Sequence, residues 1–411
     1  MTLRDLLIFV LAALALRLLP WPGVRRWGLF AASALAIYWL QPLSPVRYLD
    51  YWFPTLTLAL TALAWLLTTP VEARAWKANW PAAAALAGIA LLVALTRHLS
   101  LEGILTPGRP PATEQPLVAL ALVGLIGLGL ARLPVVSKRW LWAGIGLLIG
   151  LLVALKLPDS AAAISVGLRN LFEQSTARAA AADLRWLGFS YVAFRLIHTL
   201  RDRQSGRLPP VSLQEFVIYV IFFPSFTAGP IDRLDRFIKD LRKEQPLNAE
   251  QAAGAGQRLA LGLLKKFVIA DGLALVALNA QNAAQIVQPG FAWLLLYAYA
   301  LQIYFDFSGY TDLAIGVGRI LGINLPENFN NPYLRPNLTL FWNNWHMTLT
   351  NWFRAYFFNP VTRALRSGPR PLNPILGLFL TQLATFVLIG LWHGMTWNFV
   401  LWGVWHGIGL Y

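Results

Sequence analysis

Long apolar runs alternate along the chain with short segments rich in charge, glycine or proline. Most runs approach the length of about 20 residues that an α-helix needs to cross a bilayer. When re-entrant pieces are included, the pattern predicts roughly ten to twelve membrane-embedded helices. The apolar runs lie near residues 6–19, 28–42, 49–69, 81–97, 116–133, 140–157, 186–200, 213–229, 259–280, 291–322, 374–391 and 396–411.

The regularity of this pattern changes near residue 180. Beyond it, Phe222-Phe223-Pro224 and Gly229-Pro230 interrupt one run, and residues 323–372 are rich in Asn, Pro, Trp and Arg. Breaks in the backbone at membrane depth must be covered by protein or line a water-filled cavity. We therefore predict a transmembrane helical scaffold over residues 1–180 and a functional core over residues 181–411, with re-entrant segments around a central cavity.

The composition supports a membrane protein. Hydrophobic residues make up 57% of the 411 residues and charged residues only 13%, whereas soluble proteins carry about 25% charged residues. The predicted class is an all-α, polytopic integral membrane protein. The first run has no small-residue cleavage site after it, which favours a retained helix over a cleaved signal. The absence of cysteine excludes disulfides and thiolate chemistry.

The net charge of +15 comes from 34 basic and 19 acidic residues. The basic residues fall between apolar runs, where membrane topology and anionic lipid explain them, so no nucleic acid is expected. The intervening loops are less basic or balanced by Glu102, Glu114, Asp159 and Glu173. The basic loops, predicted to be cytoplasmic with the N-terminus outside, carry Arg25 and Arg26, Arg74 and Lys77, Arg132, Lys138 and Arg139, and Arg201, Arg203 and Arg207.

Two of the five histidines stand in apolar, tryptophan-rich surroundings. His393 lies in Leu391-Trp392-His393-Gly394, near the end of the chain. An ionisable residue at membrane depth is costly to keep and is therefore a functional candidate. A neutral, sheltered imidazole there could take a proton from a hydroxyl group as a general base. The alternative is a structural hydrogen bond between helices, which polar side chains also form in membranes.

His346 follows Trp342, Asn343 and Trp345 in a segment too polar to span the membrane. Tryptophan, asparagine and histidine together can orient a polar ligand through hydrogen bonds. The alternative is an interfacial aromatic belt, where tryptophan is enriched in any case. The residues alone leave both interpretations open.

The remaining histidines are weaker candidates. Trp405-His406-Gly407 repeats the pattern around His393. In one unbroken helix the two histidines would be rotated by about 140° from each other, so only one would face a reaction centre. His98 and His198 end apolar runs beside arginines, where solvation at the membrane interface is expected.

Charged residues also mark the second half. Asp306 and Asp312 lie in an apolar run, so each must be paired, neutral or facing water; proton carriage and pairing with Arg319 are both open. Glu327 lies in a turn-rich segment that we predict to line an entrance. Two basic clusters could attract phosphates, an acidic partner protein or anionic lipid head groups. The first contains Arg233, Arg236, Lys239, Arg242, Lys243, Lys265 and Lys266, and the second Arg354, Arg363, Arg366 and Arg370.

Other chemistries lack their motifs. The chain has no P-loop, no nucleophile elbow and no dinucleotide-binding glycine spacing. Its histidines are too scattered for a recognisable zinc site. We therefore expect no metal and no tightly bound cofactor.

Several spaced blocks resemble the membrane-bound O-acyltransferase superfamily, in the bacterial polysaccharide-modifying branch that includes alginate O-acetyltransferases and the D-alanyl transfer protein of teichoic acid synthesis. The blocks occur in the family's order over roughly residues 186–411. They are Phe222-Phe223-Pro224 through Gly229-Pro230-Ile231-Asp232-Arg233, Tyr304-Phe305-Asp306-Phe307-Ser308-Gly309-Tyr310, Pro326-Glu327-Asn328-Phe329-Asn330, Phe341-Trp342 through Trp345-His346-Met347, Trp352-Phe353-Arg354, and Leu391-Trp392-His393-Gly394.

The resemblance implies a helical bundle around a cavity that joins both membrane faces. It implies that His393 is the central catalytic histidine and that His346 is the second active-site position. It further implies transfer of an acyl group, acetyl first of all, from a cytoplasmic thioester donor (acyl-CoA or an acyl carrier protein) to a hydroxyl of an extracytoplasmic polysaccharide or cell-envelope glycan. The expected substrate-binding residues are Trp342, Asn343, Trp345, Asn328, Asp306, Trp392 and Arg233.

We accordingly expect a multi-pass protein of the bacterial cytoplasmic membrane, in contact with membrane lipid. The expected partners are the acyl donor or an acidic carrier protein at the cytoplasmic face, the glycan acceptor and an extracytoplasmic accessory acyltransferase. Relatives usually continue past the position of Tyr411, so we expect the chain to lack its last helices. Two alternatives remain: D-alanyl transfer to teichoic acid or a similar polymer, and a transporter or flippase with broken helices.

Overall fold

The computed structural model describes residues 2–99, 103–133, 137–243, 247–368 and 371–411. Every regular element among these residues is helical, so the predicted all-α class is confirmed. The helices of the N-terminal zone are α1 (Leu3–Leu18), α2 (Pro22–Leu40), α3 (Leu49–Thr68), α4 (Trp76–Leu95), α5 (Glu114–Ala131), α6 (Lys138–Lys156) and α7 (Pro158–Leu171), with 3₁₀ turns at Val71–Arg74, Thr96–His98 and Ala181–Asp183.

The C-terminal zone contains longer and more interrupted helices. Two π-helical segments, Leu264–Ala270 and Arg354–Phe358, continue α11 and α16, and 3₁₀ turns lie at Phe223–Ser225 and Pro332–Leu334. The helices are α8 (Phe189–Gln204), α9 (Leu213–Val220), α10 (Leu234–Lys243), α11 (Ala249–Leu263), α12 (Asp271–Ala274), α13 (Ala280–Ala283), α14 (Pro289–Ile320), α15 (Leu338–Asn344), α16 (Met347–Phe353), α17 (Asn359–Ser367), α18 (Pro374–His393) and α19 (Trp397–Gly409).

Five helices of the described chain are both long enough and apolar enough to cross a bilayer. Four of them belong to the N-terminal zone, and the fifth is α18, which ends at His393. The other apolar runs are shorter, carry more charge or are broken within the run. For example, the run near 213–229 forms α9 and a 3₁₀ turn rather than one spanning helix.

The break at Phe222-Phe223-Pro224 lies in the packed interior. Phe222 and Phe223 are buried, and the ring of Phe223 lies 4.8 Å from that of Phe9 in α1. The buried guanidinium of Arg195 donates to the carbonyl oxygens of Val220 (2.6 Å) and Ser225 (2.9 Å), which the broken helix leaves without partners. The expectation that this break lines a cavity is therefore wrong, because protein covers it instead.

One hydrophobic core contains side chains from both zones, among them Phe9, Tyr51, Val192, Phe223 and Leu313. The two zones are therefore packed together, whatever division the apolar pattern suggests. A second, smaller cluster joins α8, α16 and α18 through Tyr191, Phe194, Leu349, Phe353 and Ile389. This smaller cluster positions the segment that contains His393.

A buried ion pair connects the end of the N-terminal zone to the core. Arg169 Nη2 lies 2.9 Å from Asp183 Oδ2, and the hydroxyl of Ser165 donates to the same oxygen at 2.6 Å. Burial opposes ionisation of Asp183, but the hydrogen bonds from Ser165 and Arg169 prevail and hold the pKa of its carboxyl below the ordinary value. The pair therefore stabilises the fold at neutral pH, and this contribution is lost as the pH falls below about 4.

Asp183→Ala is expected to lower the free energy of unfolding by about 3–5 kcal/mol, because it leaves the Arg169 guanidinium buried without its carboxylate. The measurement is the midpoint of thermal unfolding of the purified protein in detergent. Asp159→Ala is the control, since Asp159 is exposed at the start of α7. Equal midpoints for both variants would contradict a stabilising role for the pair.

Candidate active site

His346 stands at a sharp turn between two short helices. α15 ends at Asn344 and α16 begins at Met347, with His346 as the residue before the first helical position. Its backbone is left-handed, with φ 42° and ψ 52°. This conformation is uncommon for a residue other than glycine and is often found at functional sites. The turn points a side chain that is only 4% exposed into the interior.

Asn328 holds this turn in place from a neighbouring loop. The Thr348 hydroxyl donates to Asn328 Oδ1 at 2.6 Å, and the Met347 amide donates to the Asn328 carbonyl oxygen at 2.9 Å. The Ile231 amide in turn donates to the Thr348 hydroxyl at 3.1 Å. Asn328 has no exposed surface, which is at odds with the prediction that it contacts substrate. Its bonds make it a positioning residue for His346.

Asn328→Ala is expected to lower kcat for the proposed acyl transfer by about 10- to 100-fold, because a small displacement of His346 has a large effect on a reacting geometry. KM should change less, since Asn328 has no surface that substrate could touch. Steady-state kinetics in proteoliposomes gives both values. The control is Asn170→Ala, an exposed asparagine on α7; a loss of the same size there would contradict the positioning role.

Trp392 brings the two candidate histidines together. Its ring lies 4.7 Å from the ring of His393 and 6.4 Å from that of His346. Phe194 of α8 packs on the same indole at 5.4 Å. Residues that are 47 positions apart in sequence therefore contact one aromatic ring, as a shared site requires. Phe307 of α14 closes the other side of His346, with ring centroids 4.7 Å apart.

Four side-chain nitrogens of this region have no hydrogen-bond partner among the described residues. Nε2 of His346, Nε1 of Trp392, Nε1 of Trp342 and Nδ1 of His406 are buried and make no hydrogen bond within the described chain. Most buried polar groups in proteins are hydrogen-bonded, so each exception needs an explanation. The grouping of several such nitrogens around two histidines is suited to binding a polar ligand.

His393 differs from the expectation in one respect. The sequence predicted a sheltered ring, but the side chain of His393 is exposed at the C-terminal end of α18. Phe399 and Trp402 of α19 flank the ring at 6.0 and 5.7 Å. His346 is the enclosed member of the pair and His393 the accessible one.

The tryptophan-rich segment around α15 faces two directions. Trp342 packs against His406 (5.1 Å) and Trp402 (5.6 Å), on the side of α18 and α19. Trp345 instead stacks on Phe341 at 5.6 Å and meets the ring of Tyr304 of α14 at 6.2 Å. Trp342 therefore lies on the side of His393, whereas Trp345 packs against α14.

A cleft of about 240 Å³, which we call the α18 cleft, leads toward His393. Trp342 and Asn343 line it, and Arg354 lies at its polar end, where its guanidinium donates to Asn343 Oδ1 at 2.7 Å. Phe386 and Ile389 line its apolar part, and Ile389 is one helical turn before His393. The cleft thus combines a cation with an apolar wall that ends one helical turn before His393.

Two predicted substrate-binding residues lie away from this site. Asp306 is half exposed and forms an ion pair with Lys266. Arg233 is also half exposed, with Nη2 3.4 Å from Asp202 Oδ2. Burial raises the pKa of the Asp202 carboxyl, although the Tyr356 hydroxyl donates to it at 2.9 Å. Both side chains are engaged in ion pairs in this structure, and their contacts with substrate stay predictions.

The first basic cluster is largely neutralised within the fold. Arg233 pairs with Asp202, as described, and five of the other cations have carboxylate partners, so this region is not a patch of free positive charge. These pairs are Arg236 with Asp232, Arg242 with Glu215, Lys243 with Asp240, Lys265 with Asp312 and Lys266 with Asp306. Arg370 of the second basic cluster lies outside the described residues. Glu102, predicted to balance the charge of an N-terminal loop, also lies outside them.

Two further expectations are corrected. Asp312 pairs with Lys265 (2.7 Å) and Arg258 rather than with Arg319. His198 is buried instead of solvated at an interface, and its ring stacks on Tyr356 at 5.8 Å. In both cases the partner comes from a distant part of the sequence, so spacing could not identify it. His98, in contrast, is exposed, as expected.

Sequence reasoning missed a polar cavity of about 400 Å³ on the α14 side of His346. Arg258, Lys265, Asp312 and Glu327 line it together with Ser308, whose buried hydroxyl has no partner in the described chain. Glu327 lines this cavity, and its place at an entrance stays a prediction. Arg258, which pairs with both Asp312 and Glu327, was not singled out because its surroundings in α11 show no motif.

Residues 142–411 match the membrane-bound O-acyltransferase family. The chain therefore belongs to this family, and the resemblance suggested by its spaced blocks is confirmed. The matched region covers well over half of the chain and contains all the residues of the candidate site. It also includes most of α6, which the apolar pattern had assigned to the N-terminal scaffold.

Curated relatives carry two kinds of name. A teichoic acid D-alanyltransferase of Streptococcus thermophilus is 33% identical over 236 residues, covering 55% of this chain and 56% of the relative. Probable alginate O-acetylases AlgI of Pseudomonas syringae pv. tomato and Pseudomonas putida are 36% and 35% identical, covering 51% and 63% of this chain and 41% and 54% of the relatives. The chain spans about half the length of these relatives.

Proposed function

We propose that the protein is an O-acyltransferase of the bacterial cytoplasmic membrane. It moves an acyl group from a cytoplasmic thioester to a hydroxyl of an extracytoplasmic polysaccharide or cell-envelope glycan. The observation that supports this most directly is the pair of His346 and His393 on the ring of Trp392, at the end of a membrane-length helix. The names of the relatives in both groups agree with acyl transfer.

In the proposed reaction His393 is the general base. Its neutral imidazole takes the proton of the acceptor hydroxyl while the hydroxyl oxygen attacks the thioester carbonyl carbon. The tetrahedral intermediate collapses as the carbon–sulfur bond breaks, and the thiolate receives the proton back from the imidazolium. The products are the new ester and the free thiol, so no further reactant is needed.

His346 and Trp392 are suited to stabilising the intermediate. Within the described ranges the Trp392 indole N–H has no partner, and neither has Nε2 of His346, which can donate in one of the two tautomers. Donors held in place before the reaction are most effective where charge develops, here on the carbonyl oxygen. The left-handed turn and its bonds to Asn328 keep His346 in position.

The α18 cleft is the proposed path for the donor. Arg354 at its polar end could attract the phosphate groups of acyl-CoA or of an acyl carrier protein, and its apolar wall could hold the thioester arm. Its volume of about 240 Å³ favours a short acyl group. We favour acetyl, with D-alanyl as the alternative, since relatives are named for each. An extracytoplasmic accessory acyltransferase is a further proposed partner.

Labelled acyl transfer in proteoliposomes tests the proposal. Acetyl-CoA, or an acyl carrier protein charged with labelled acetate or D-alanine, is supplied on one side and a glycan acceptor on the other. The expected product is an acceptor carrying alkali-labile label. A transporter or flippase would move acceptor or donor across the bilayer and leave the acceptor without label, which would refute the proposal.

A further inference from the structure

A cavity of about 470 Å³ lies outside the candidate active site, and we call it the arginine cavity. Its walls come from α1, α2, α10, α11 and the end of α14. Five basic side chains from four of these helices line it, although they are far apart in the sequence. They are Arg17, Arg25, Arg26, Lys243 and Arg319.

Two acidic side chains, Asp240 and Glu250, also line the arginine cavity among the described residues. Asp240 Oδ2 accepts hydrogen bonds from the backbone and side-chain amides of Asn324, at 2.9 and 3.1 Å, and its Oδ1 lies 3.4 Å from the Lys243 ammonium nitrogen. Both oxygens of Asp240 are therefore already engaged by these two residues. Glu250 is exposed in the first turn of α11.

Arg25 has a hydrogen-bond donor to spare. Its Nη2 donates to the carbonyl oxygen of Leu19 at 2.9 Å, but its Nε is buried and has no partner among the described residues. A buried donor without a partner needs an explanation. Arg25 and Arg26 also lie near the N-terminal end of α2, where the helix dipole disfavours cations. The helix itself therefore does not account for these two arginines.

Arg319 has no carboxylate partner in the part of the chain that the structure describes. Its Nη1 donates to the carbonyl oxygen of Gly254 at 3.4 Å, which is longer than an ordinary hydrogen bond of this type. Asp312, on the same helix, is held by Lys265 and Arg258. The charge of Arg319 is therefore available to a ligand in the arginine cavity.

Arg17 reaches the same space from α1. Gly322 follows α14 with a left-handed φ of 85°, and a Cβ atom at this glycine would lie 3.2 Å from Nη1 of Arg17. The Arg17 guanidinium thus lies against the turn that ends α14, three residues after Arg319. Cations from α1 and α14 converge there, which suits a ligand with several negatively charged oxygens.

Exposed apolar side chains stand beside these arginines in the sequence. Leu18, Trp21 and Val24 are 83%, 66% and 47% exposed. Tryptophan is enriched at membrane–water interfaces, and Arg25 and Arg26 belong to a loop predicted to be cytoplasmic. A free anion would need only the cations. Cations beside exposed apolar side chains suit a ligand that has both a phosphate and acyl chains.

We propose that the arginine cavity binds the phosphate group of an anionic phospholipid of the cytoplasmic leaflet. Arginine is well suited to phosphate, because its planar guanidinium can donate two parallel hydrogen bonds. The acyl chains would lie along Leu18, Trp21 and Val24. The bound lipid would tie α1 and α2 to the end of α14, about 18 Å along that helix from Phe307, which packs on His346. This inference is independent of the proposed acyl transfer.

The test measures the unfolding temperature of the full chain, freed of lipid in a neutral detergent, because a ligand that binds only the folded state raises this temperature. The additions are phosphatidylglycerol, phosphatidylcholine, glycerophosphoglycerol (the first head group without acyl chains), inorganic phosphate and coenzyme A, at equal concentrations. We expect phosphatidylglycerol to give the largest rise. Phosphatidylcholine should give little, since its choline cancels the charge, and the soluble phosphates should give little because they lack acyl chains.

Arg25→Gln and Arg319→Gln should each weaken the apparent affinity for phosphatidylglycerol by about 10- to 100-fold, the usual worth of a hydrogen bond to a charged group. Arg132→Gln is the matched control. Arg132 is exposed at the end of α5, in another loop predicted to be cytoplasmic, and does not line the arginine cavity. Each variant is compared with its own unfolding temperature without lipid, so a weaker fold is distinguished from weaker binding.

The remaining outcomes would overturn the inference. No rise with phosphatidylglycerol, or an equal rise with phosphatidylcholine, would show that the cavity does not select an anionic lipid. An equal rise with glycerophosphoglycerol or inorganic phosphate, or a rise with coenzyme A that Arg25→Gln and Arg319→Gln abolish, would assign the cavity to a soluble phosphate. An equal loss of affinity in Arg132→Gln would indicate a diffuse attraction of the whole surface to anionic lipid.

Discussion

Replacing His393 with alanine is expected to lower kcat for acyl transfer by about 10²- to 10⁴-fold, the range for loss of a general base. The side chain is exposed at the end of α18, so its removal leaves no cavity in the packed core. The fold and the binding of donor should therefore survive. The measurement is the single-turnover rate of labelled acyl transfer in proteoliposomes, with the amount of inserted protein determined for each sample.

His98→Ala is the control for this experiment. His98 is exposed and far from the site in sequence, and its imidazole bonds only to the Thr113 hydroxyl, at 2.9 Å, among the residues that the structure describes. This variant should transfer acyl groups at the wild-type rate. If His393→Ala were as active as His98→Ala, the assignment of the base would be refuted.

His346→Ala is expected to have the second largest effect, a loss of about 10²- to 10³-fold in kcat, as for removal of one donor to an oxyanion. The imidazole is enclosed between Phe307 and Trp392, and its Nε2 has no partner in the part of the chain that the structure describes. KM for the acceptor should change little, because this donor acts on the charge that develops in the transition state. Steady-state rates over a range of acceptor concentrations separate the two parameters.

A structural role for His346 must be distinguished from a chemical one, because its backbone is left-handed. His346→Asn is the suitable comparison, since asparagine tolerates this conformation and keeps a side-chain donor. We expect it to unfold at the wild-type temperature and to retain more activity than the alanine variant. Equal activity of the asparagine and alanine variants, with a lower unfolding temperature for both, would indicate packing rather than catalysis.

Much of the candidate site could be predicted because its residues stand in unusual surroundings. His393 in an apolar run and His346 among tryptophans were singled out before any contact was known, and the structure places both on Trp392. Trp342 and Asn343 line the cleft next to them. Trp342 and Asn343 belong to the same short block as His346, so they are close to it in the sequence as well as in the structure.

The interactions that the sequence could not indicate share one cause. Arg233 and Asp306 are polar residues in the matching blocks, but their charges are neutralised by Asp202 and Lys266, which are 31 and 40 positions away. Asn328 is in such a block too, and its side-chain oxygen accepts hydrogen bonds from the hydroxyl and the amide of Thr348, next to the His346 turn.

The apolar periodicity and length of the runs determined by themselves that this chain is an α-helical membrane protein, because backbone groups in lipid must be satisfied within each segment. The ordered blocks likewise identified its family. Only the tertiary structure decided which polar residues face a ligand and which neutralise each other. Ion pairing and burial depend on the distances between side chains of different helices. Those distances are set by how the helices pack, so the spacing of residues in the sequence does not predict them.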